Sequence, residues 1–320
     1  MFVDMPEADL ASYRSTQTDP ADFDAFWTST LQQARDAASA PTLTLIDTGL
    51  STINTYDVTF SGFAGQPVKA WLRVPAAATT PLVTVVEYVG YGGGRGHVHE
   101  NLMWASAGFA HLLMDTRGQG SAWSTGDTPD PDGTGPQFPG MMTRGIDSRE
   151  TYYYRRVFTD AVRALETARE LPMTDAARTV ITGGSQGGGI TVAVAGLVPD
   201  IAAAAPYVPF LCDFRRATVI TDNDPYKEIG RYLAVHRNKV ESVHKVLSYF
   251  DGVNFARRAI APTLFSASLM DPTCPPSTIY GAFNEWRGDK RMSLWQYNGH
   301  EGGGPLDRQY ALEFFREVLG

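Results

Sequence analysis

One segment of the sequence, VITGGSQGGGI, surrounds Ser185 with five glycines. Glycine loses the most backbone entropy on folding, so such a cluster indicates a backbone that turns sharply or is closely approached. RTVIT at 178–182 predicts a strand and GITVAVAGLV at 189–198 predicts a helix, which places the serine on the turn between them. Gly183 and Gly187 complete a G-x-S-x-G pattern, in which a strained turn presents a nucleophilic hydroxyl above a sheet. The alternative is a flexible glycine turn, but the flanking strand and helix favour a nucleophile.

A serine nucleophile needs a base and a group that orients the base, and both follow along the chain. Asp271 comes directly after the predicted strand at 262–270, and His300 follows the predicted strand at 291–297. Open α/β sheets collect their active sites at such carboxyl ends of strands. We therefore expect His300 to take the Ser185 proton and return it to the leaving group, while Asp271 holds the imidazole tautomer.

Other residues compete for these two roles. His236 and His244 lie in the segment 212–258, away from any predicted strand end. An aspartate in the sequence MDPT more often forms a turn than takes part in catalysis. The order of serine, aspartate and histidine, each at the expected element end, favours the assignment of Asp271 and His300.

Two backbone N–H groups are expected to form an oxyanion hole. One belongs to Gln186, which follows the nucleophile, and the other to Tyr91 in the loop GYGGGRGH at 90–97. A mobile glycine loop is the alternative for 90–97. No G-x-G-x-x-G register fits 90–97 or 183–189, so dinucleotide binding is excluded.

Metal and disulfide chemistry have little support in the sequence. His97 and His99 have H-x-H spacing in HVHE, but no second cluster of ligands follows, and the segment is expected to open the helix ENLMWASAG. Cys212 and Cys274 have no partner at zinc-finger spacing, and two cysteines do not make a disulfide framework. We predict no metal and no cofactor, and a reducing compartment.

Composition narrows the class of protein further. The chain has 320 residues, a formal net charge of −8 and a pI near 5.3, and its arginines pair only as scattered doublets. A nucleic-acid surface needs clustered basic residues, so nucleic-acid binding is not expected. No signal sequence is visible, and the longest apolar stretch, ITVAVAGLV, is too short to span a bilayer. We predict a cytoplasmic protein without a membrane partner, acting on a small molecule.

The secondary-structure elements that must position these residues follow a regular order along the chain. The early strands alternate apolar and polar residues, and the later strands alternate with helices along the chain. This order predicts an α/β fold with a mostly parallel central sheet and helices on both faces. The predicted strands are 54–60, 68–74, 82–89, 110–115, 178–182, 201–211, 262–270 and 291–297, and the predicted helices are 20–38, 146–172, 189–198 and 305–319.

One domain, 1–320, is expected, with an N-terminal helical extension at 1–40. Asp147 and Glu150 predict a cap for the helix at 146–172. The polar segment 212–258 is expected to be a helical insertion that serves as a lid or an interface arm.

Three short segments in order, RGQ at 117–119, GGSQG at 183–187 and HE at 300–301, resemble the signature of carbohydrate esterase family 7, the acetyl xylan esterases and cephalosporin C deacetylases. DTRGQGSAWSTGD, RGIDSRETYYYRRVFTDAVRALE and MDPTCPPSTIYGAFN also resemble that family, so the resemblance runs from about residue 20 to the end. It implies an α/β-hydrolase fold and removal of acetyl groups from small esters. It also implies cytoplasmic homo-hexamers whose active sites face an internal cavity.

The same resemblance implies roles for individual residues. It implies a triad of Ser185, Asp271 and His300 and oxyanion donors at the backbone of Tyr91 and Gln186. Arg117 and Gln119 would fix the loop beneath the site, and Tyr91 and Trp123 would bound a small acyl pocket. One departure concerns the oxyanion loop, where family members often carry His-Gly-Tyr-Asn and this chain has Val89-Gly90-Tyr91-Gly92.

Three hypotheses follow from the sequence. The first is a serine esterase that deacetylates acetylated xylo-oligosaccharides and cephalosporin C-like acetyl esters. The second is an acyltransferase that passes the same acyl group to an alcohol in place of water. The third is an α/β-hydrolase-like binding protein without catalysis, against which the intact set of Ser185, Asp271 and His300 argues.

Overall fold

The computed structural model describes residues 1–320 and contains one nine-stranded sheet. The strands are β1 (Thr42–Ile46), β2 (Ile53–Ser61), β3 (Pro67–Pro75), β4 (Leu82–Tyr88), β5 (Ala110–Met114), β6 (Thr174–Gly184), β7 (Ala203–Tyr207), β8 (Thr263–Ser268) and β9 (Lys290–Trp295). The helices are α1 (Glu7–Ser12), α2 (Phe23–Asp36), α3 (Met103–Ser106), α4 (Tyr153–Glu170), α5 (Gln186–Leu197), α6 (Phe214–Ile220), α7 (Tyr226–Val235), α8 (Val240–Leu247), α9 (Gly252–Ala256), α10 (Pro276–Glu285) and α11 (Pro305–Leu319). None of these helices has a stretch that is long and apolar enough to cross a lipid bilayer.

The sheet has the order β1-β2-β3-β5-β4-β6-β7-β8-β9. The pairs among β1, β2, β3 and β5 are antiparallel, and every pair from β5 through β4 to β9 is parallel. This arrangement confirms the predicted α/β class and its mostly parallel sheet. It also brings the carboxyl ends of β4, β6, β7, β8 and β9 to one edge.

Helices cover both faces of the sheet, and strand β4 shows why. Val86 and Tyr88 point into the larger core cluster, where the Tyr88 hydroxyl donates to the backbone oxygen of Ala161 on α4 at 3.1 Å. Val85, which precedes Val86 and faces the other side of the sheet, belongs to a second cluster that contains Phe315 of α11. Strand β4 therefore contributes apolar side chains to the cores on both faces of the sheet, as a central parallel strand does.

Several element bounds differ from the sequence predictions. The predicted strand 201–211 ends at Tyr207 because Val208 and Leu211 have positive φ angles of 36° and 66°, which no strand accommodates. The helix expected from 146 begins at Tyr153, and Asp147 does not cap it but accepts a hydrogen bond from Lys239 at 2.8 Å. The helix expected to begin in HVHE is confined to Met103–Ser106. Strand β1 and helix α10 were not predicted, whereas helix α1 lies within the helical extension expected at 1–40.

Residues 212–258 contain helices α6 to α9, and more of their side chains are buried than the polar sequence suggested. Side chains from all four helices join the main core cluster, among them Phe214, Tyr226, Leu247 and Phe255. Gly196 of α5 lies so close to Phe255 that an added Cβ would meet its backbone oxygen at 2.4 Å. Much of the segment is therefore part of the core, and its service as a lid or an interface arm stays a prediction.

Candidate active site

Ser185 occupies a strained turn between β6 and α5. Its φ and ψ are 54° and −116°, a conformation that L-residues rarely adopt. Two backbone hydrogen bonds hold it there: its N–H donates to the Tyr207 oxygen at 2.9 Å, and its own oxygen accepts from Phe210 at 2.9 Å. The end of β7 and the loop after it thus fix the backbone of the turn.

The glycines on either side of Ser185 allow close approach of backbones. A Cβ on Gly187 would lie 2.0 Å from the Tyr88 oxygen, and a Cβ on Gly183 would lie 2.5 Å from the backbone of Gly187. Both contacts are far inside van der Waals distance, so neither position accepts a side chain without a shift of backbone. The glycines of the sequence pattern are explained by packing of α5 against β4 and β6.

The structure brings the three predicted catalytic side chains together. The Nε2 atom of His300 lies 2.9 Å from the Ser185 hydroxyl oxygen, and its Nδ1 atom lies 2.8 Å from Oδ2 of Asp271. Asp271 is fully buried, and its Oδ1 accepts the backbone N–H groups of Thr273 and Cys274 at 2.8 and 2.9 Å. One carboxylate oxygen is thus held by the backbone while the other faces the imidazole.

This arrangement allows proton transfer from the serine. With a proton on Nδ1 directed at Asp271, the Nε2 atom of His300 is an acceptor for the Ser185 hydroxyl proton. The carboxylate then stabilises the imidazolium that forms. His236 and His244, the alternatives in the sequence, lie on other elements, and the structure places neither against Ser185.

The two predicted oxyanion donors lie on separate elements. Gln186 opens helix α5, where the first N–H groups have no acceptor in a preceding turn. Tyr91 follows β4, and its N–H donates to no other group of the protein. Both N–H groups are therefore available to an incoming oxygen atom.

A side-chain network that the sequence left undefined joins these two loops. Gln119 accepts the Gly92 N–H at 2.7 Å and donates to the side-chain oxygen of Gln186 at 2.8 Å. Tyr154 donates to the same oxygen at 2.9 Å, and Gln186 donates to the backbone oxygen of Val89 at 3.1 Å. The network fixes the distance between the loop at Tyr91 and the start of α5.

Arg117 lies beneath this network. It makes a two-point ion pair with Asp160 of α4, at 2.5 and 2.7 Å, and both side chains are almost fully buried. Arg117 and Gln119 touch neither Ser185 nor His300, so their contacts are those of positioning residues, as the family resemblance implied.

The side chain of Tyr91 points away from the triad, which the sequence did not indicate. Its hydroxyl donates to Glu228 of α7 at 2.8 Å and accepts the Met141 N–H at 2.6 Å, and its ring packs against Phe210. Burial raises the pKa of Glu228 above its ordinary value, although Tyr91 and the Met142 N–H oppose that rise. Glu228 lies in the segment 212–258, far from any motif, and no sequence signal marks it.

Trp123 covers the loop that follows β4. Its Nε1 atom donates to the Tyr91 oxygen at 2.8 Å, while 64% of the residue stays exposed. The ring lies so close to Gly93 that a Cβ there would meet it at 2.2 Å, which explains the glycine. Trp123 therefore forms a rigid, solvent-facing wall beside the oxyanion loop.

Two clefts are large enough to hold a small ligand. The larger, about 760 Å³, lies between residues 16–22, 147–150 and 241–249, and it includes none of the triad. The second, about 510 Å³, is lined by Ser185 itself together with Trp123. Ser185 is the predicted nucleophile, so the second cleft is the candidate substrate site despite its smaller volume.

Metal-ligating side chains gather in one place only. Oxygen, sulfur and nitrogen atoms of Asp271, Cys274 and His300 lie within 4.8 Å of one another, so a cation there would displace the contacts of the triad. Burial raises the pKa of the Cys274 thiol, which disfavours the thiolate that a metal needs. His97 and His99 stack on each other at 5.0 Å and have no third ligand.

Comparison with known proteins supports the resemblance seen in the sequence. A family model described as acetyl xylan esterase (AXE1) matches residues 1–318. The chain belongs to the acetyl xylan esterase family. This membership confirms the family predicted from the motifs, and with it the expectation of a carboxylic ester hydrolase.

Individual relatives agree with the family. An acetyl xylan esterase from Paenibacillus sp. R4 is 38% identical, with a TM-score of 0.92 over 98% of this chain and 99% of that one. Acetyl xylan esterase 1 from Thermoanaerobacterium sp. JW/SL YS485 is 30% identical, with a TM-score of 0.92 over 99% and 100% of the two chains. The acetyl esterase Axe7A of Xylanibacter ruminicola is 27% identical over 88% of this chain, which spans 63% of the length of that relative. The fold is therefore that of these esterases.

Proposed function

We propose that the protein is a serine esterase that removes acetyl groups from small acetylated sugars such as xylo-oligosaccharides. The observation that carries the proposal is the unbroken chain of contacts from Ser185 through His300 to Asp271 at a strained strand-to-helix turn. Family membership and the similarity to acetyl xylan esterases support the acetyl group and the sugar. Cephalosporin C-like acetyl esters share the acyl half and belong to the same proposal.

The reaction proceeds through an acyl-enzyme. The Ser185 oxygen attacks the acetyl carbonyl carbon while its proton passes to Nε2 of His300. The carbonyl oxygen becomes an anion that accepts hydrogen bonds from the backbone N–H groups of Tyr91 and Gln186. The bond to the sugar oxygen then breaks, and the departing alcohol takes the proton from His300.

Water completes the cycle. His300 removes a proton from a water molecule, which attacks the acetyl carbon of the Ser185 ester. The second tetrahedral intermediate collapses, acetate leaves, and Ser185 regains its proton from His300. These steps need only protein groups and water, so activity is expected without an added metal ion or cofactor.

Acetate release from acetylated xylo-oligosaccharides, beside hydrolysis of p-nitrophenyl acetate, propionate, butyrate and octanoate, tests the proposal. A small acyl pocket beside the loop at Tyr91 predicts the highest kcat/KM for acetate and a steep fall beyond propionate, because a rigid pocket rejects added methylenes. An open apolar groove would instead favour each methylene by about 0.8 kcal/mol. A maximum at butyrate or longer, or no acetate from the oligosaccharides, would refute the proposed substrate.

A further inference from the structure

The cleft beside Ser185 has an unusually polar lining. Only four of the thirteen residues around it are hydrophobic. Those that bear functional groups over the cleft are Glu87, Glu100, Asn101, Trp123, Ser124, Ser185 and Arg308. A volume of about 510 Å³ lies within the range of small-molecule sites, which are ordinarily lined mostly by apolar side chains. The lining therefore indicates a ligand with many hydrogen-bonding groups.

Glu87 is a fixed acceptor at the side of this cleft. It lies on β4, on the face of the sheet that α3 and α11 cover, and its Oε2 accepts Trp104 Nε1 at 3.1 Å. The Nε2 atom of the buried His111 lies 2.9 Å from the same oxygen. The other carboxylate oxygen makes no hydrogen bond within the protein, and 21% of the side chain is exposed. Glu87 is thus held in place and can accept a bond from a ligand hydroxyl.

Arg308 is a donor in the lining of the same cleft. It lies in the first turn of α11, and its guanidinium forms no ion pair or hydrogen bond with the protein. Its charge is close enough to act on Glu87 across the cleft. A buried second guanidinium, that of Arg73, lies behind the cleft with Nε and Nη1 unpaired. The charged side chains that line the cleft are thus of both signs: Glu87 and Glu100 are acidic, and Arg308 is basic.

The presence of both signs of charge in one cleft argues for a neutral ligand. An anion would meet Glu87 and Glu100, and a cation would meet the guanidinium of Arg308. A pair of sugar hydroxyls can bind the carboxylates and the guanidinium at once, because each hydroxyl donates one hydrogen bond and accepts others. The exposed indole of Trp123 adds a flat apolar surface at the same cleft.

The position of the cleft assigns it to one half of the substrate. The Tyr91 side chain lies on the other side of the oxyanion loop, against Phe210 and Glu228. That side belongs to the helices α4 and α5, whereas Glu87 and Arg308 lie on the side of α3 and α11. The two halves of an ester lie on opposite sides of the attacked carbonyl carbon, so the polar cleft is suited to the alcohol half.

We propose that the cleft lined by Glu87, Asn101 and Arg308 binds the sugar of the substrate, a neutral polyhydroxylated alcohol, with Glu87 accepting from one hydroxyl and Arg308 donating to another. This inference rests on the proposed deacetylase function and adds the residues that select the leaving group. It makes Glu87 and Arg308 specificity residues without a part in the chemical steps.

Inhibition of p-nitrophenyl acetate hydrolysis by unacetylated xylotriose measures this binding directly. We expect xylotriose to compete in the wild type, and Arg308→Met to raise its Ki about tenfold or more, since a bond from a charged donor is lost. The ratio of kcat/KM for acetylated xylotriose to that for p-nitrophenyl acetate should fall by a similar factor. Glu87→Gln should act in the same direction, but Glu87 is half-buried, so the exposed Arg308 is the decisive position.

Arg316→Met provides a matched control. Arg316 lies two turns further along α11, is exposed and does not line the cleft. The Arg316→Met variant should keep the wild-type Ki for xylotriose and the wild-type ratio of the two kcat/KM values. Equal effects of Arg308→Met and Arg316→Met would overturn the inference, as would an unchanged Ki in Arg308→Met.

The outcomes separate this inference from the function on which it rests. If the wild type and Arg308→Met release acetate from xylotriose acetates equally well, the deacetylase stands and the sugar cleft is wrong. If the wild type cleaves p-nitrophenyl acetate but neither binds xylotriose nor deacetylates it, both the sugar substrate and the cleft are wrong. Tighter inhibition by a glucuronate-substituted oligosaccharide than by the neutral one, lost in Arg308→Met, would replace the neutral ligand with an anionic one.

Discussion

At the scale of single residues, Asp271 uses one carboxylate oxygen for two backbone N–H groups and the other for His300. In Asp271→Asn, the amide nitrogen can face the imidazole, and Nδ1 then has to accept rather than donate. His300 would hold its proton on Nε2 and lose the ability to take the Ser185 proton. We expect kcat for p-nitrophenyl acetate to fall by about 10⁴.

Asp289→Asn is the control for this variant, because Asp289 is exposed and its side chain contacts none of the triad. It should retain wild-type kcat. Combined with Ser185→Ala, the Asp271 variant should lose little more than Ser185→Ala alone, since the residues act as a unit. Losses that multiplied independently would show that these residues do not form a triad.

The positions of Ser185, Asp271 and His300 could be predicted because each directly follows a strand that the sequence pattern reveals. The contacts of Tyr91 could not. Its hydroxyl bonds Glu228, and the two residues are 137 positions apart with no pattern to link them. Only the path of the chain through α7 brings that carboxylate to the oxyanion loop.

At the scale of elements, the contact of α5 with β4 fixes the position of the nucleophile. An added Cβ at Gly187 would lie 2.0 Å from the Tyr88 oxygen, and neither backbone can move freely. We expect Gly187→Ala to lower the free energy of unfolding by roughly 1–3 kcal/mol or more. Activity should fall as well, because any shift of α5 also moves Gln186.

Urea unfolding and p-nitrophenyl acetate hydrolysis measure both effects. Gly184→Ala is the comparison, because a Cβ at Gly184 meets nothing within 4 Å and its φ is not positive. It should cost far less stability than Gly187→Ala. Equal losses for the two variants would show that close packing at Gly187 does not limit the turn.

Two element bounds next to the site differ from their predicted positions, for physical reasons. Helix α5 begins at Gln186, whereas the sequence suggested 189, because Gly187 and Gly188 weaken helices yet are required by the backbones they touch. Strand β7 stops at Tyr207 because the chain must turn to hold Ser185. Tertiary contacts overrode local preference in both places.

A buried pair of acidic residues joins α6 and α9 and should make stability depend on pH. Asp251 accepts backbone N–H groups of Asp213, Phe214 and Val253. Burial and the neighbouring Asp213 nevertheless raise the pKa of Asp251 to about 7. The folded protein then binds more protons than the unfolded chain between about pH 4 and about pH 7, so this group contributes less stability as pH rises through that window.

Asp213→Asn should weaken this dependence. It removes the charge that faces Asp251, and asparagine tolerates the left-handed φ of 50° at this position. The stability of the variant relative to wild type should therefore increase from about pH 4 to about pH 8 in urea titrations. The exposed Asp9→Asn should show no such trend, and the same trend in both variants would refute the assignment to this pair.

At the scale of the whole molecule, we predict assembly into a homo-hexamer, which the family resemblance implies. The segment 212–258 offers exposed apolar side chains, with Val219 79% and Val235 72% accessible. Multi-angle light scattering should give a mass of about six times the 34.9 kDa of the chain. A mass equal to one chain across the concentrations used for assay would contradict the prediction.

The central claim is that Ser185, activated by His300, forms the covalent intermediate. A serine-reactive phosphonate followed by intact mass and peptide mapping tests it most directly. We predict one adduct per chain on Ser185, no adduct in Ser185→Ala, and labelling slowed by orders of magnitude in His300→Ala. An adduct on another serine, or full acetylesterase activity in Ser185→Ala, would contradict the account.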